Sequence, residues 1–453
     1  MRTLRISVFI LLVTALAVSN MPATAGDKVD LGLEILAEND GWAASGDGVT
    51  GGSGAAPEQV YVVTNRQELV AALNNGIYPP PSNPSPTPKI IYVSGVIDAN
   101  VDDANQPLTC EDYYRDGFTW EAFLAAYDPA VWGRTTPSGP LELGRLASRA
   151  AQEARVRIRV GDNTTIVGLG TAATIRGAWF DIRGSRSGAV QTPRHNIIIR
   201  NLTFEDTYDC FPAWAPTDGE LGSWNALYDA ISLRESVNIW IDHNTFRDRE
   251  TLDKYAPDYF GVLFQQHDGL LDITNASHLV TVSWNRFEDH DKVMLIGSSD
   301  SGSTATNDRG RLRVTLHHNL FTGVGQRVPR VRFGQVHVYN NYYKIINNPS
   351  YVYTWGVGIE SQIYAENNNI KTDQKTDAAS LIGVYKGINL IETGTEMNGT
   401  PGNAFVDVVD AYNAEYDPDL TTLESWEPVF FLPIDSTQQV IPLVESRSGP
   451  FNW

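Results

Sequence analysis

Three aspartates on two separate segments could together hold a hard metal cation. Asp229 lies in the segment YDAI, and Asp268 and Asp272 lie in the segment HDGLLD. Residues four apart on an extended chain project to the same side, so Asp268 and Asp272 would share a face. If the two segments stack as neighbouring strands, about 4.8 Å apart, Asp229 comes within reach of both. Clustered carboxylates with only oxygen ligands favour Ca²⁺, and the alternative is three separately solvated surface aspartates.

Four basic residues form a second group that could bind acidic substituents. Lys292 follows Asp291, and Arg327, Arg330 and Arg332 lie in the segment QRVPRVRFG. Arg330 and Arg332 alternate along a strand and would share a face, whereas Arg327 precedes a proline in a bend. Guanidinium groups bind carboxylates through paired hydrogen bonds, so this segment favours uronate groups as ligands. The alternative is a solvated or ion-paired surface.

The histidines raise the question of a zinc site. Seven of the eight lie between His243 and His337. The chain has no His-Glu-x-x-His helix motif and no cysteine placed beside these histidines, and several histidines fall inside strand-like segments. We therefore favour calcium over zinc.

A recurring strand motif indicates how these groups are positioned. Short β-branched or aromatic alternation leads into asparagine and then into an aromatic or apolar residue, in HNIIIRNLTF, VNIWIDHNTF, HLVTVSWNRF, LRVTLHHNLF, QVHVYNNYY and QIYAENNNI. The asparagines of this motif are Asn244, Asn285, Asn319, Asn341 and Asn369, at intervals of 41, 34, 22 and 28 residues. A fixed strand motif at variable intervals predicts stacked coils with loop insertions, and the asparagines would form a hydrogen-bonded ladder. A β-sandwich is the alternative, but its two-residue Asn-Gly or Asp-Gly turns are largely missing.

The flanking segments complete the predicted fold, a right-handed parallel β-helix with an N-terminal capping helix and long loop insertions. Residues 60–73 read as a strand followed by a short helix that covers the open end of the stack. A second helix over residues 141–154, after Gly139-Pro140, would be an excursion from an early coil. The tail from about Asp417 carries Trp426, Phe430, Phe431 and Trp453 and would pack along the outside.

Composition limits the compartment and the partners. Arg2 and Arg5 precede an apolar run and then Ala23-Thr24-Ala25, which predicts a signal peptide over residues 1–25 and one mature domain over residues 26–453. Two cysteines, Cys110 and Cys210, are compatible with a disulfide, although their spacing does not show that they meet. The net charge of −20 argues against nucleic acid and anionic membranes as partners. This acidic protein could bind an acidic substrate only where its basic residues are concentrated or where a cation bridges protein and substrate.

Taken together, these motifs resemble the pectate lyases of polysaccharide lyase family 1 over most of the mature chain. The segments that carry the resemblance are TGG at 50–52, NTTIVG at 163–168, WIDH at 240–243, HDGLLD at 267–272, DHDK at 289–292, GSSDS at 297–301, HHN at 317–319, QRVPRVRFG at 326–334 and NN at 340–341. The combination of WIDH with QRVPRVRFG at this distance is the most specific sign.

The resemblance implies roles for the residues that match the family motifs. Asp229, Asp268 and Asp272 would bind calcium, Arg327 would be the general base at C5, and Lys292 and Arg332, together with Arg330, would bind substrate carboxylates. The chain departs from some members of the family, since Leu227 stands where they have a further acidic ligand, and they have Glu at the place of Asp268. Unperturbed arginine loses its proton only at strongly alkaline pH, so this base assignment implies an alkaline activity optimum.

The implied protein is a secreted, monomeric, calcium-dependent lyase that cleaves α-1,4-linked polygalacturonate by β-elimination and releases 4,5-unsaturated oligogalacturonates. Secretion would end outside the cell or in a periplasm. A pectin lyase acting on methylated pectin should lack the calcium carboxylates. A polygalacturonase would need an Asn-Thr-Asp motif that is absent here. A non-catalytic β-helix that binds polysaccharide is the alternative from a different functional class.

Overall fold

The strands of this chain return to the same three directions once per coil and build three parallel sheets. A computed structural model describes residues 29–188, 190–250, 252–373, 376–399, 405–421 and 426–453. Each complete coil passes through the sheets in the same order, here called sheet I, sheet II and sheet III. This is the right-handed parallel β-helix that the recurring strand motif predicts.

The strands of the three sheets have the following bounds. Sheet I contains Arg157–Arg159, Trp179–Arg183, Ile231–Arg234, Leu271–Thr274, Leu295–Ile296, Arg330–Val331, Trp355–Gly358 and Ile382–Tyr385. Sheet II contains Val60–Val63, Lys89–Val93, Thr164–Gly168, Arg194–Arg200, Ser236–Asp242, His278–Ser283, Arg313–His317, Gln335–Tyr339, Gln362–Glu366 and Leu390–Thr393. Sheet III contains Val96–Asp98, Thr174–Arg176, Thr203–Glu205, Thr245–Arg247, Arg286–Glu288, Leu320–Thr322, Tyr342–Ile345, Asn369–Thr372 and Glu396–Met397.

Helices and short hairpins lie in the connections and at the ends. The α-helices are Arg66–Leu73, Trp120–Tyr127, Pro129–Trp132, Pro140–Val156, Gly302–Asp308, Val408–Glu415 and Thr437–Arg447. The 3₁₀ turns are Trp42–Ala44, Pro57–Gln59, Cys110–Tyr113, Asp253–Tyr255 and Ala379–Leu381. Three antiparallel hairpins pair Ser185–Ser187 with Val190–Thr192, Ala213–Ala215 with Ser223–Asn225, and Asp258–Tyr259 with Val262–Leu263.

Two columns of equivalent side chains run through the stack. Aromatic rings on sheet III lie nearly parallel at 5.0 Å between centroids, in the column Phe204, Phe246, Phe287, Phe321 and Tyr343. At the turn between sheets II and III, buried amides donate to one another in the column Asn244, Asn285, Asn319, Asn341 and Asn368. The prediction that Asn369 closes this ladder is wrong by one residue. The Asn369 side chain instead donates to the carbonyl of Thr437.

A helix covers the N-terminal end of the stack, as predicted. Helix Arg66–Leu73 begins after Asn65, whose side chain accepts from the N–H of Glu68 at 3.0 Å. This cap satisfies a donor that the first helical turn would otherwise leave unpaired. Leu69 and Leu73 are fully buried in the central core, so the helix closes the apolar interior at this end.

Both terminal segments pack along the outside of the coils. Trp42 contacts Trp426 at 5.8 Å and Phe430 at 5.7 Å between ring centroids. Trp453 lies 6.2 Å from the ring of Tyr92. The predicted outer packing of the C-terminal tail is therefore confirmed for the residues that the structure describes.

Loop excursions near the N-terminal end form a small aromatic lobe with its own core. Helix Pro140–Val156 matches the predicted excursion. Trp120, Phe123, Phe211 and Trp224 pack together in this lobe. A disulfide joins Cys110 to Cys210 across 100 residues of sequence, and it settles the pairing that spacing alone left open. Cys210 lies in the loop that follows strand Thr203–Glu205, so the disulfide ties this loop covalently to the segment around Cys110.

Within the described ranges, no helix is long and apolar enough to cross a bilayer. The predicted signal peptide, residues 1–25, lies outside the described residues.

Candidate functional site

The predicted site residues lie where successive coils enter sheet I. Gly269, Lys292 and Gln326 pair in parallel register on three successive coils. The N–H of Ala230 donates to the carbonyl of Gly269 at 3.2 Å, which adds the preceding coil. Adjacent strands are about 4.8 Å apart. Four predicted site residues therefore stand on consecutive coils: Asp229, Asp268, Lys292 and Arg327.

Asp229 and Asp272 are buried and lie close together beside Gly269. The N–H of Gly269 donates to Asp229 Oδ1 at 2.9 Å, and the N–H of Leu295 donates to Asp272 Oδ1 at 2.9 Å. A Cβ atom on Gly269 would lie 2.5 Å from Asp272 Oδ1 and 3.0 Å from Asp229 Oδ1. A side chain at position 269 would therefore displace at least one of these carboxylates.

The electrostatic state of this pair reflects crowding of like charge. Burial is the largest cause that raises the pKa of both groups, and the neighbouring carboxylates add to it. The pKa of Asp272 rises to about 6, with Asp268 as the second cause. The pKa of Asp229 is raised by burial and then by Asp272 and Asp268. Arg234 opposes the rise in the pKa of both groups and Arg327 opposes that of Asp272, but no basic side chain of the described residues forms an ion pair with either carboxylate.

Asp268 is less buried and faces a different partner. Its side chain is 31% exposed, and its Oδ1 lies 3.7 Å from Lys292 Nζ. It precedes strand Leu271–Thr274 rather than lying on it, so the predicted shared strand face with Asp272 does not apply. No three His, Cys, Asp or Glu side chains of the described residues converge closely enough to enclose a metal ion by themselves. The structure thus supplies a tight carboxylate pair with Asp268 at its edge.

An open cleft of about 300 Å³ lies directly over this pair. Asp229, Asp268 and Asp272 line it together with Arg234, Leu295, Ser298 and Ser299. The cleft gives a solvent-borne ligand access to the carboxylate pair.

Arg327 combines an unusual backbone with an unpaired side chain. Its φ of 60° lies in the left-handed region, which is costly for a residue with a Cβ. Its Nε is buried without a hydrogen-bond partner among the described residues. Its charge is near enough to oppose the rise in the pKa of Asp272. Arg327 is therefore held in place by its backbone and has its guanidinium group available for a ligand.

The other two arginines of the segment already have partners. Arg332 Nε donates to Asp300 Oδ1 at 2.7 Å, and its Nη1 donates to the carbonyl of Gly297 at 3.0 Å. Asp300 also accepts from Lys386 Nζ at 2.7 Å. The guanidinium of Arg330 lies 3.8 Å from the centroid of the Tyr385 ring. Arg330 and Arg332 do stand on one side of sheet I, but each would have to share its present partner with a ligand.

Several contributors were not predicted from the sequence. Ser232 donates to Asp229 Oδ2 and so orients the second oxygen of that carboxylate. Asp300 lies in the GSSDS segment, which the sequence marked without a role. Arg234 had no local signal, because only its register on sheet I brings it to the cleft.

A buried histidine supports the main chain at Asp268. His290 lies 2.8 Å through Nε2 from the carbonyl of Asp268 and 2.6 Å through Nδ1 from Asp248 Oδ2. Burial disfavours its charged form, but Asp248 outweighs that effect and raises the pKa of His290 to about 9. The DHDK segment thus supplies a supporting side chain as well as Lys292.

Comparison with known proteins gives one consistent family. A model of the pectate lyase family matches residues 143–398. A curated pectate lyase from Bacillus subtilis is 43% identical over 97% of this chain and 98% of its own length. Pectate lyase E from Dickeya dadantii is 32% identical over 81% of this chain and 77% of its own length.

Solved structures agree with the sequence matches. A thermostable pectate lyase is 46% identical, covers 94% of this chain and all of its own, and superposes with a TM-score of 0.87. A pectate lyase bound to a hexasaccharide is 42% identical, covers 93% of this chain and 99% of its own, and superposes with a TM-score of 0.83. Fold and sequence similarity therefore extend over the same coils that carry the cleft.

Proposed function

The chain belongs to the pectate lyase family and cleaves pectate, and we propose that it does so by calcium-dependent β-elimination in the cleft on sheet I. The observation that supports this most directly is the buried pair Asp229 and Asp272, which has no ion-pair partner among the described residues and lies close enough to Arg327 for its charge to act on Asp272. A cation would relieve the repulsion within the pair, and the substrate carboxylate would complete the charge balance.

The donor set fits calcium. Asp229, Asp272 and Asp268 offer oxygen ligands only, in an open cleft that leaves positions for water and substrate oxygens. When bound, the ion would neutralise a substrate carboxylate and so make the neighbouring C–H bond more acidic. Since the protein carboxylates do not enclose a metal by themselves, we expect substrate to increase the affinity for calcium.

Arg327 is the proposed base. In its neutral form a guanidine nitrogen would accept the proton from C5 of the galacturonate unit. The electron pair of the C–H bond would form the C4–C5 double bond, the C4–O bond would break, and the departing oxygen would take a proton from solvent. An alkaline activity optimum follows, because only the neutral form of an arginine can accept a proton.

Lys292 and Arg332 are the proposed carboxylate-binding groups, with Arg330 beside them. Lys292 Nζ lies 3.7 Å from Oδ1 of Asp268, which lines the cleft, and the Arg332 guanidinium is held beside sheet I by Asp300 and the carbonyl of Gly297. Positive charge near the substrate carboxylate stabilises the anion that forms as C5 loses its proton. Methyl-esterified pectin lacks the negative carboxylates that these basic groups and calcium would bind. We therefore propose unesterified polygalacturonate as the substrate.

The linkage, product and location are proposed on the same basis. We expect α-1,4-linked polygalacturonate to yield 4,5-unsaturated oligogalacturonates, and we expect a secreted, monomeric protein whose residues 1–25 are removed on export.

Ultraviolet absorbance during incubation with polygalacturonate tests the reaction. We expect the absorbance of the unsaturated product to rise when calcium is present and not to rise in chelator. In Arg327→Ala the rate of this increase should be at least about 1000-fold lower. Arg447→Ala, a change at an exposed arginine on helix Thr437–Arg447, is the matched control. New reducing ends without the chromophore would identify a hydrolase instead, and retained activity in Arg327→Ala would remove this residue as the base.

A further inference from the structure

A second groove lies over the turns that join sheets I and II. It has a volume of about 540 Å³ and is open to solvent along the coils from residue 309 to residue 389. None of the predicted site residues lines it. The residues that the argument uses are Arg309, Arg311, Arg313, Gln335, Gln362 and Lys386.

A hydrogen-bonded ladder forms the floor of this groove. Arg313, Gln335 and Gln362 occupy the same register position on three consecutive strands of sheet II. Arg313 Nε donates to Gln335 Oε1 at 3.0 Å, and Gln335 Nε2 donates to Gln362 Oε1 at 2.9 Å. Each side chain of the ladder donates to the side chain on the next coil, so all the donors point the same way along the stack. The Arg313 guanidinium stacks on the Trp42 ring at 5.1 Å from its centroid, and its terminal nitrogens and the Nε2 of Gln362 have no side-chain acceptor among the described residues.

The groove carries positive charge that the protein itself does not neutralise. Arg309 pairs with Glu360 at 2.7 Å, but Arg311 and Arg313 form no ion pair with any described residue. Their charge is felt nearby, since burial and then Arg313 and Arg311 lower the pKa of His278 to about 4. In a chain with a net charge of −20, such a concentration of unpaired arginine favours an anionic ligand.

We propose that this groove is a second binding site for a galacturonate chain, separate from the cleft where the chain is cut. Arg311 and Arg313, two residues apart on one coil, would bind a carboxylate, and the amides of Gln335 and Gln362 on the next two coils would bind hydroxyl groups of the following sugar units. Ile359 adds apolar surface to the lining, whereas the Phe333 ring is already covered by the Arg309 guanidinium, 4.8 Å from its centroid. A single small anion would use only part of a groove of this size. The identity of the ligand rests on the proposed function, whereas the charge and shape of the groove do not.

A series of two ion pairs links the groove to the proposed active site. Lys386 at the edge of the groove binds Asp300, and Asp300 binds Arg332 of the proposed cleft. A long polymer could occupy both sites on one molecule, and the second contact would hold the chain near the cleft after each cut. A trimer is too short to benefit from this.

The test combines activity on two chain lengths with a direct binding measurement. The variants are Arg311→Gln and the double change Arg311→Gln with Arg313→Gln, and Arg447→Gln is the control that matches the single variant in charge outside the groove. We expect the KM for long polygalacturonate to rise about threefold to tenfold in the double variant, with kcat for long polymer and KM for trigalacturonate unchanged. Arg311→Gln, at an exposed position, should show the same trend to a smaller degree and covers the case in which the double variant is unstable.

Affinity electrophoresis in chelator measures binding without cleavage. Polygalacturonate in the gel should slow the wild type and Arg447→Gln more than the double variant. Equal retardation of all three proteins, or a KM that rises equally for the trimer, would overturn the proposal. Failure of the proposed function would show differently, as wild-type protein that binds the polymer but produces no unsaturated product.

Discussion

At the scale of single residues, Asp229 and Asp272 hold two carboxylates together at a cost in stability. The pKa of each is higher in the folded protein than the ordinary value of an aspartate, which is 3.8. The folded state therefore binds more protons than the unfolded state between pH 3.8 and about 6, the range that Asp272 defines. The two aspartates therefore contribute most to the free energy of unfolding below that range. This contribution is lost as pH rises through the range, unless a bound cation offsets the repulsion between the two charges.

Calcium should consequently stabilise the protein more at high pH than at low pH. We expect an excess of calcium over chelator to raise the Tm by several degrees at pH 8 and by little at pH 4. Thermal unfolding followed by circular dichroism at both pH values measures the two shifts. Equal shifts would mean that calcium binds elsewhere on the protein.

Asp272→Asn separates the two roles of this carboxylate. Without calcium at pH 8, the variant should be at least as stable as the wild type, because one of the two repelling charges is gone. Its Tm should no longer respond to calcium, and its activity should fall at least about 100-fold. Asp289→Asn, at an exposed position outside the cleft, should retain both responses. A variant that loses stability in chelator would show that Asp272 contributes mainly through its hydrogen bond to Leu295.

The sequence predicted the residue types of the site better than their partners. Asp229, Lys292 and Arg327 could be singled out because their motifs are local. The contact of Arg332 with Asp300 could not, because it joins positions 32 residues apart, separated by a helix and by strands of all three sheets. The need for glycine at position 269 was also hidden, since it depends on where the carboxylate of another coil points.

At the scale of elements, the asparagine ladder replaces the turns that a β-sandwich would use. Each buried amide accepts from the main chain of the preceding coil and donates within the stack, as Asn319 does with Asn285, Asn341 and the carbonyl of Val282. A missing amide would leave several buried groups unpaired at once.

Asn319→Ala should therefore destabilise the protein by about 2 to 4 kcal/mol. Asn369→Ala is the matched control, because Asn369 is also buried but makes one long hydrogen bond to Thr437 at 3.3 Å, and we expect a loss of about 1 kcal/mol or less. Chemical denaturation of both variants gives the comparison. Similar losses in the free energy of unfolding for both variants would mean that packing, and not the amide ladder, stabilises this turn.

The ladder also marks the limit of sequence reasoning for the fold. The recurrence of the strand motif predicted the architecture, and local helix signals predicted the capping helix and the excursion helix. The motif failed within the run Asn367-Asn368-Asn369, where three identical residues give no local sign of which one turns inward. The choice is made by the register of strand Asn369–Thr372 against its neighbour, a long-range contact.

At the scale of the whole molecule, the disulfide joins two excursions that have little contact with the central core. The aromatic lobe has its own cluster of buried side chains, separate from the core of the coils. Closing a long loop lowers the entropy of the unfolded chain, and removing the link typically costs about 3 kcal/mol or more. The effect should be confined to the lobe, since the coils are held by their own ladders.

The double variant Cys110→Ser with Cys210→Ser tests this. We expect proteolysis within residues 100–156 or 206–225 at protease levels that leave the wild type intact, and a Tm for the coils that falls much less than a global loss would require. Wild-type protein treated with reductant should behave in the same way. Cleavage spread evenly over the chain would mean that the lobe and the coils unfold as one unit.

The stacked columns have a consequence for how this chain can misfold. A shift by one whole coil would again place phenylalanine on phenylalanine and asparagine on asparagine, so a slipped stack keeps much of the favourable packing of the correct one. Unequal loop lengths and the terminal segments oppose such a slip. Asp435 contacts both Asn340 and His318, and Trp453 Nε1 donates to the carbonyl of Gly168, and each of these contacts requires one particular coil. The outer tail thus selects one alignment among several that the repeats alone would tolerate.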